Sequence, residues 1–216
     1  MRELVTGPWV RSANEQGSAL ILAMAAGVLL AALGSALVLI GITETTVSGS
    51  YVRGLQAAYL AEAAIARATM ELDAVSNWND VLTGLTSSSF GDGVPEGVRM
   101  VGGVTVDLSA STLALNRSAA SRPFGLNNPR WRLFAWGPAE GLAGDAVAGY
   151  LAVWVADDPE EQDDDPLTDG GAERGRGVLL MTAQAFGPGG VRRTVEVVIG
   201  RKPPLATRIL AWSAVR

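Results

Sequence analysis

The chain has 216 residues, a formal net charge of −5 and a pI of about 4.8, and it contains neither cysteine nor histidine. The missing residues exclude a disulfide framework, thiolate or imidazole metal sites, Ser-His-Asp and Cys-His catalysis, and the ordinary general base near neutral pH. Nucleic-acid binding is disfavoured as well, because phosphate recognition needs clustered Lys and Arg, and here Arg174 with Arg176 and Arg192 with Arg193 stand isolated in an acidic chain.

The first strong signal is an apolar run from Ser18 to Ile42 that carries no charge. At about 1.5 Å per residue such a run spans a hydrocarbon core of about 30 Å with some tilt. A secretory h-region is shorter, about 7–15 residues, although Ala23, Ala25 and Ala26 resemble a cleavage site. A membrane anchor is therefore the favoured expectation. Arg2 and Arg11 precede the run and no Lys or Arg follows until Arg53, which places the N-terminus in the cytoplasm and the rest of the chain outside the inner membrane.

Gly27, Gly34 and Gly41 recur every seven residues along the run, with Ala31 between the first two and Ser48 continuing the series. Such a stripe lets helices approach closely in lipid, where association depends on packing and not on hydrophobic burial. Glycine is also simply common in membrane spans. The next stretch, TETTVSGS (43–50), reads either as a break or as a weak patch in a continuing helix. Beyond it Ala58, Ala61, Ile65, Ala68, Leu72 and Val75 recur at spacings of three and four, predicting an amphipathic helix to about Val75. Arg67 and Glu71, four apart, can pair on its polar side.

The remainder reads mainly as β. Residues 98–108, 130–137, 146–157, 177–187 and 191–201 are short runs rich in β-branched and aromatic residues, bounded by Gly, Pro, Asn and Asp. The last two are joined by GPGG (187–190), a turn signal for an antiparallel hairpin. In its second arm Val191, Arg193, Val195, Val197 and Ile199 share one face, which can lie against the amphipathic helix. The predicted class is α+β, a long N-terminal helix packed on an antiparallel sheet, with residues 84–97 and 118–129 as irregular connections. The tail 209–215 is either a closing strand or a segment offered to a partner. Trp131, Trp136 and Trp154 fall in predicted strands and are expected in the core, whereas Trp212 lies in the tail.

Between two strands lies ADDPEEQDDDPLTDGG (156–171), with eight carboxylates in a short loop. Calcium takes six to eight oxygen ligands, and such loops supply them at weak affinity. The spacing is not that of an EF-hand, and a solvated acidic loop is the competing expectation. If calcium binds, the candidate ligands are Asp163, Asp165 and Asp169, with Asp157 from the strand end. No other cofactor is expected. Catalysis is not expected either: a run of acids lacks the asymmetry of a glycosidase pair, Ser87, Ser88 and Ser89 have no histidine, and the one lysine, Lys202, sits beside Pro203.

Gly17 followed by the uninterrupted apolar helix from Ser18, together with AYLAEAAIARA (58–68), resembles the N-terminal region of PilX-like type IV pilus assembly proteins, which belong with the minor pilins. The resemblance covers about the first 80 residues, with weaker echoes at 187–199 and 209–215. It implies a pilin-like fold with a leader over 1–17, an assembly helix over 18–42, its amphipathic continuation over 43–78 and a β-rich extracytoplasmic domain over 79–216. It further implies that prepilin peptidase cuts after Gly17, that Ser18 becomes an N-methylated mature N-terminus, and that the helix leaves the inner membrane to join other minor and major pilins in the pilus core. Major pilins carry glutamate at the fifth mature position, where this chain has Leu22, and an aromatic at the first, where it has Ser18. A subunit lacking that buried carboxylate lacks its pairing with a neighbour's amine, which fits a tip or priming position. A minor pseudopilin of a type II secretion system would use the same leader and helix. A membrane-tethered periplasmic binding domain would keep residues 1–17.

Overall fold

The computed structural model describes residues 15–143, 148–161, 163–170, 177–201 and 206–215. Residues 1–14 of the expected leader, with Arg2 and Arg11, and Lys202 with Pro203 lie outside the described residues. Helix α1 runs Glu15–Ala74, and the chain divides into two compact units within it, after Ser50.

The first unit is helical throughout its described residues. TETTVSGS is therefore a weak patch and not a break. Within the helix the hydroxyls of Thr43, Thr45 and Thr46 donate to the carbonyls of Leu39, Gly41 and Ile42, and Ser35, further toward the N-terminus, does the same to Ala31. These four hydroxyls are satisfied by their own helix, as an apolar medium requires.

The second unit, from Tyr51 onward, has an α+β architecture. After α1 come a short helix α2 (Asn79–Leu82), a hairpin of β1 (Val98–Val101) and β2 (Val104–Asp107), helix α3 (Leu108–Ala120), β3 (Arg132–Pro138), a short α4 (Glu140–Ala143), and the strands β4 (Tyr150–Asp157), β5 (Val178–Phe186), β6 (Arg192–Gly200) and β7 (Arg208–Val215). β3 to β7 form an antiparallel sheet in sequence order, a meander.

The sheet is covered on both faces over β3 to β5, while β7 is exposed along its whole length. On one, the alanine-rich face of α1 supplies Ala57, Leu60, Ala61, Ala64, Ile65, Ala68 and Leu72 against Leu151, Val153 and Val155 of β4, Leu179 and Met181 of β5, and Val195, Val197 and Ile199 of β6. Small side chains let the helix axis approach the strands. The buried stripe follows the expected one at Ala61, Ile65, Ala68 and Leu72; Ala58 is half-buried while Ala57 and Leu60 take the contact, and Val75, just past the end of the helix, is half-buried too. On the other face Ala152, Trp154 and Ala156 of β4 join Trp131, Trp136, Val106, Leu108 and Ala119. β4 is accordingly buried along its whole length.

Two features depart from the sequence reading, and a third settles a choice that it left open. The run 98–108 is not one strand, because Gly102 and Gly103 take φ of +55° and +79° and fold it back into β1 and β2. Helix α3 was not anticipated; Asp107 caps it by accepting from the Ala110 N–H at 2.8 Å, and it takes in residues 118–120 of the expected irregular connection. The tail is the closing strand β7, paired with β6 from Thr194↔Val215 to Gly200↔Arg208. Trp212 remains 45% exposed on it, unlike Trp131, Trp136 and Trp154.

Candidate functional site

Two places carry chemistry that the core does not consume. The first is the apolar part of α1. Leu20, Leu22, Val28, Leu33, Leu37 and Ile40 are all more than half exposed, a state that water penalises strongly. α1 is long and apolar enough to cross a membrane. Gly17 and Ser18 lie in its first turn, both exposed. A Cβ built at Gly27, Gly34 or Gly41 meets nothing within 4 Å. Ala31 and Ser48 are exposed as well, so the small-residue stripe is an open face.

The second place is the acidic loop after β4. Asp157 ends that strand opposite Leu179. Asp158 Oδ1 then accepts from the Glu160 N–H, and the Glu161 N–H donates to the Asp158 carbonyl, a tight turn that brings Glu161 back beneath the strand end. Glu161 is completely buried and Asp157 is 3% exposed. The Asn127 amide Nδ2 donates to the Glu161 carbonyl, and Asn79 Oδ1 accepts from the Asp169 N–H at 2.9 Å. Asp169 Oδ1 accepts from the Gly177 N–H at the start of β5. Carboxylate oxygens of Asp157, Glu161 and Asp169 thereby lie within 4.8 Å of one another.

The electrostatics follow from that crowding. Burial pushes Asp157 up to about 8, with the charge of Glu161 adding to it. Burial likewise lifts Glu161 to about 7, with Asp163 and Asp169 contributing. Asp158 is also raised, chiefly by burial.

Of the four residues expected to face a cation, the structure brings Asp157 and Asp169 together. Asp165 spends its carboxylate on its own turn, accepting from the Leu167 N–H and the Thr168 hydroxyl, and Asp163 Oδ1 accepts from the Asp165 N–H. Glu161 takes the central place that the sequence reading did not assign to it. The available signal was Asp158-Pro159, a turn-forming pair that returns a residue four beyond Asp157 to the strand end.

An open groove of about 940 Å³ lies along α3, lined in part by Thr112, Asn116, Arg130 and Arg132. Its inner polar groups are structural. Thr112 Oγ1 accepts from the buried Trp154 Nε1 at 2.7 Å, and Asn116 bridges to both the N–H and the carbonyl of Trp131. A third polar group, Asp92 with Arg99 and Tyr150, ties the connection before β1 to β4.

These features define an α+β domain carried by a helix long and apolar enough to serve as a single membrane anchor. No family model, no curated protein and no solved structure matches the chain.

Proposed function

We propose that this chain is a non-catalytic assembly subunit of a type IV pilus, a minor pilin resembling the PilX-like proteins. It enters the inner membrane through α1 with the domain on the periplasmic side. Prepilin peptidase cuts between Gly17 and Ser18, and the methylated helix then packs with other minor and major pilins. The observation that carries this reading is the open small-residue stripe of Gly27, Ala31, Gly34 and Gly41 on an exposed apolar helix. Close packing of such a face against other helices is what holds helices together in lipid. Leu22, where a repeating subunit would carry glutamate, suits a priming or tip position.

The test is a clean deletion of the gene in its native host, with surface pili and secreted enzymes measured side by side. Loss of pili, restored by the wild-type chain and not by Gly17→Asp, is the expected result. Intact pili with blocked secretion would assign the chain to a secretion pseudopilus. Neither defect, with residues 1–17 retained on the membrane protein, would leave a tethered binding domain and overturn the proposal.

A further inference from the structure

The buried carboxylates after β4 have a geometry that no assembly role uses. Asp157 Oδ1 and both carboxylate oxygens of Glu161 are shut off from solvent and receive no hydrogen bond. The two residues are 3% and 0% exposed, and one carboxylate oxygen of each lies within 4.8 Å of the other and of one from the half-buried Asp169. Ionised carboxylates are not left buried and unpaired in native proteins; they are paired, protonated or bound to a metal. The Asn127 side-chain oxygen, on the amide that holds the Glu161 carbonyl, is also buried without a partner.

We propose that Asp157, Glu161 and Asp169 hold one calcium ion. The donors are all oxygens, and the chain has no histidine or cysteine to suit zinc. Two of the three carboxylates sit on an irregular loop and one on a strand end, a set that calcium tolerates with its variable coordination of six to eight oxygens. Magnesium demands near-ideal octahedral geometry and keeps its waters, which a trio with two of its three carboxylates buried accommodates poorly. Bound there, the ion clamps residues 158–161 and 163–170 to the end of β4. Through the Asn127 and Asn79 bonds it also clamps the loop to the turn at Gly125–Asn127 and to α2. Calcium binding is independent of cleavage at Gly17, so either proposal can fail while the other stands.

The test uses the full-length protein in detergent, stripped with EDTA and titrated with calcium chloride alone by calorimetry and by thermal unfolding. One calcium per chain is expected, with a Kd on the order of 10⁻⁴ M or tighter, and a rise in Tm that equal magnesium does not reproduce. Glu161→Gln keeps the shape and removes the charge. In EDTA it should melt at or above the wild type, because a buried repulsive charge is gone. In saturating calcium it should melt below the wild type, with affinity reduced at least tenfold. Asp165→Asn, whose carboxylate serves its own turn, should bind as the wild type does. Absence of calcium binding overturns the proposal, as does equal weakening by Asp165→Asn and Glu161→Gln, or a Glu161→Gln protein that melts lower in EDTA and is raised by calcium as far as the wild type.

Discussion

Replacing Ile65 by alanine removes three carbons from the middle of the contact between α1 and the sheet, where Ile65 is completely buried. At about 0.8 kcal/mol per buried carbon the transfer loss is about 2.4 kcal/mol. The incompletely closed cavity raises this to about 3 kcal/mol, within the range of about 2–5 kcal/mol seen for such truncations. For a domain of this size, about 2–4 °C of Tm per kcal/mol converts the loss to a fall of about 6–12 °C. The assay is thermal unfolding of the full-length protein in detergent, followed by near-UV circular dichroism of the buried Trp78 and Trp154. Leu29→Ala is the control: Leu29 lies in the same helix but is 65% exposed, so its truncation should leave the Tm within about 1 °C. Equal shifts for the two variants, or a fall below about 3 °C for Ile65→Ala, would refute the division of α1 into an unburied part and a part that belongs to the domain core.

Gly34→Leu should leave that same Tm unchanged, because nothing lies within 4 Å of the position. It should lower helix–helix association severalfold in a membrane two-hybrid assay, and unchanged association would reduce the stripe to mere composition. Thr112→Val removes the acceptor of the buried Trp154 Nε1 and should cost about 1–3 kcal/mol in chemical denaturation, while Thr112→Ser should cost much less. Glu71 makes the acid limb of stability predictable. Burial alone would raise its pKa, but the hydroxyls of Ser88 and Ser89 and the Arg67 guanidinium, 2.7 Å away, hold it below 4.5. A depressed carboxylate contributes stability above its unfolded pKa and loses it as pH falls through the folded one. The advantage of the wild type over Glu71→Gln should therefore be constant above about pH 5 and shrink steadily below it. An advantage that persists unchanged to pH 3 would contradict the assigned bonds.

Much of this architecture was legible because the relevant signals are local. The spacing of Ala61, Ile65, Ala68 and Leu72 follows the helical period, and the alternation of Val195, Val197 and Ile199 follows the strand period. The structure sets these two faces against each other. GPGG marked the β5–β6 connection, and the β-branched runs marked four strands of the sheet to within a few residues. Helix α3 was not legible, since LSASTLALNRSAA is rich in Ser and Thr and poor in apolar periodicity; it forms because Asp107 caps it and Leu108 and Ala119 find the second face of the sheet. The acidic site was half legible. Density of charge located the loop, but which carboxylates turn inward depends on the turn at Asp158 and on the Asn79 and Asn127 anchors, which are distant in sequence. Asp163 and Asp165 looked equivalent to Asp157 and Asp169 because their local turn bonds leave no mark in composition.

The mass and N-terminal sequence of the protein purified from its native membrane or from sheared filaments test the assembly role most directly. A chain that begins at N-methylated Ser18, the product of scission after Gly17, is the predicted result. A chain that still begins at Met1 would contradict processing and assembly, and one cut near Ala23 to Ala26 would contradict the anchor itself.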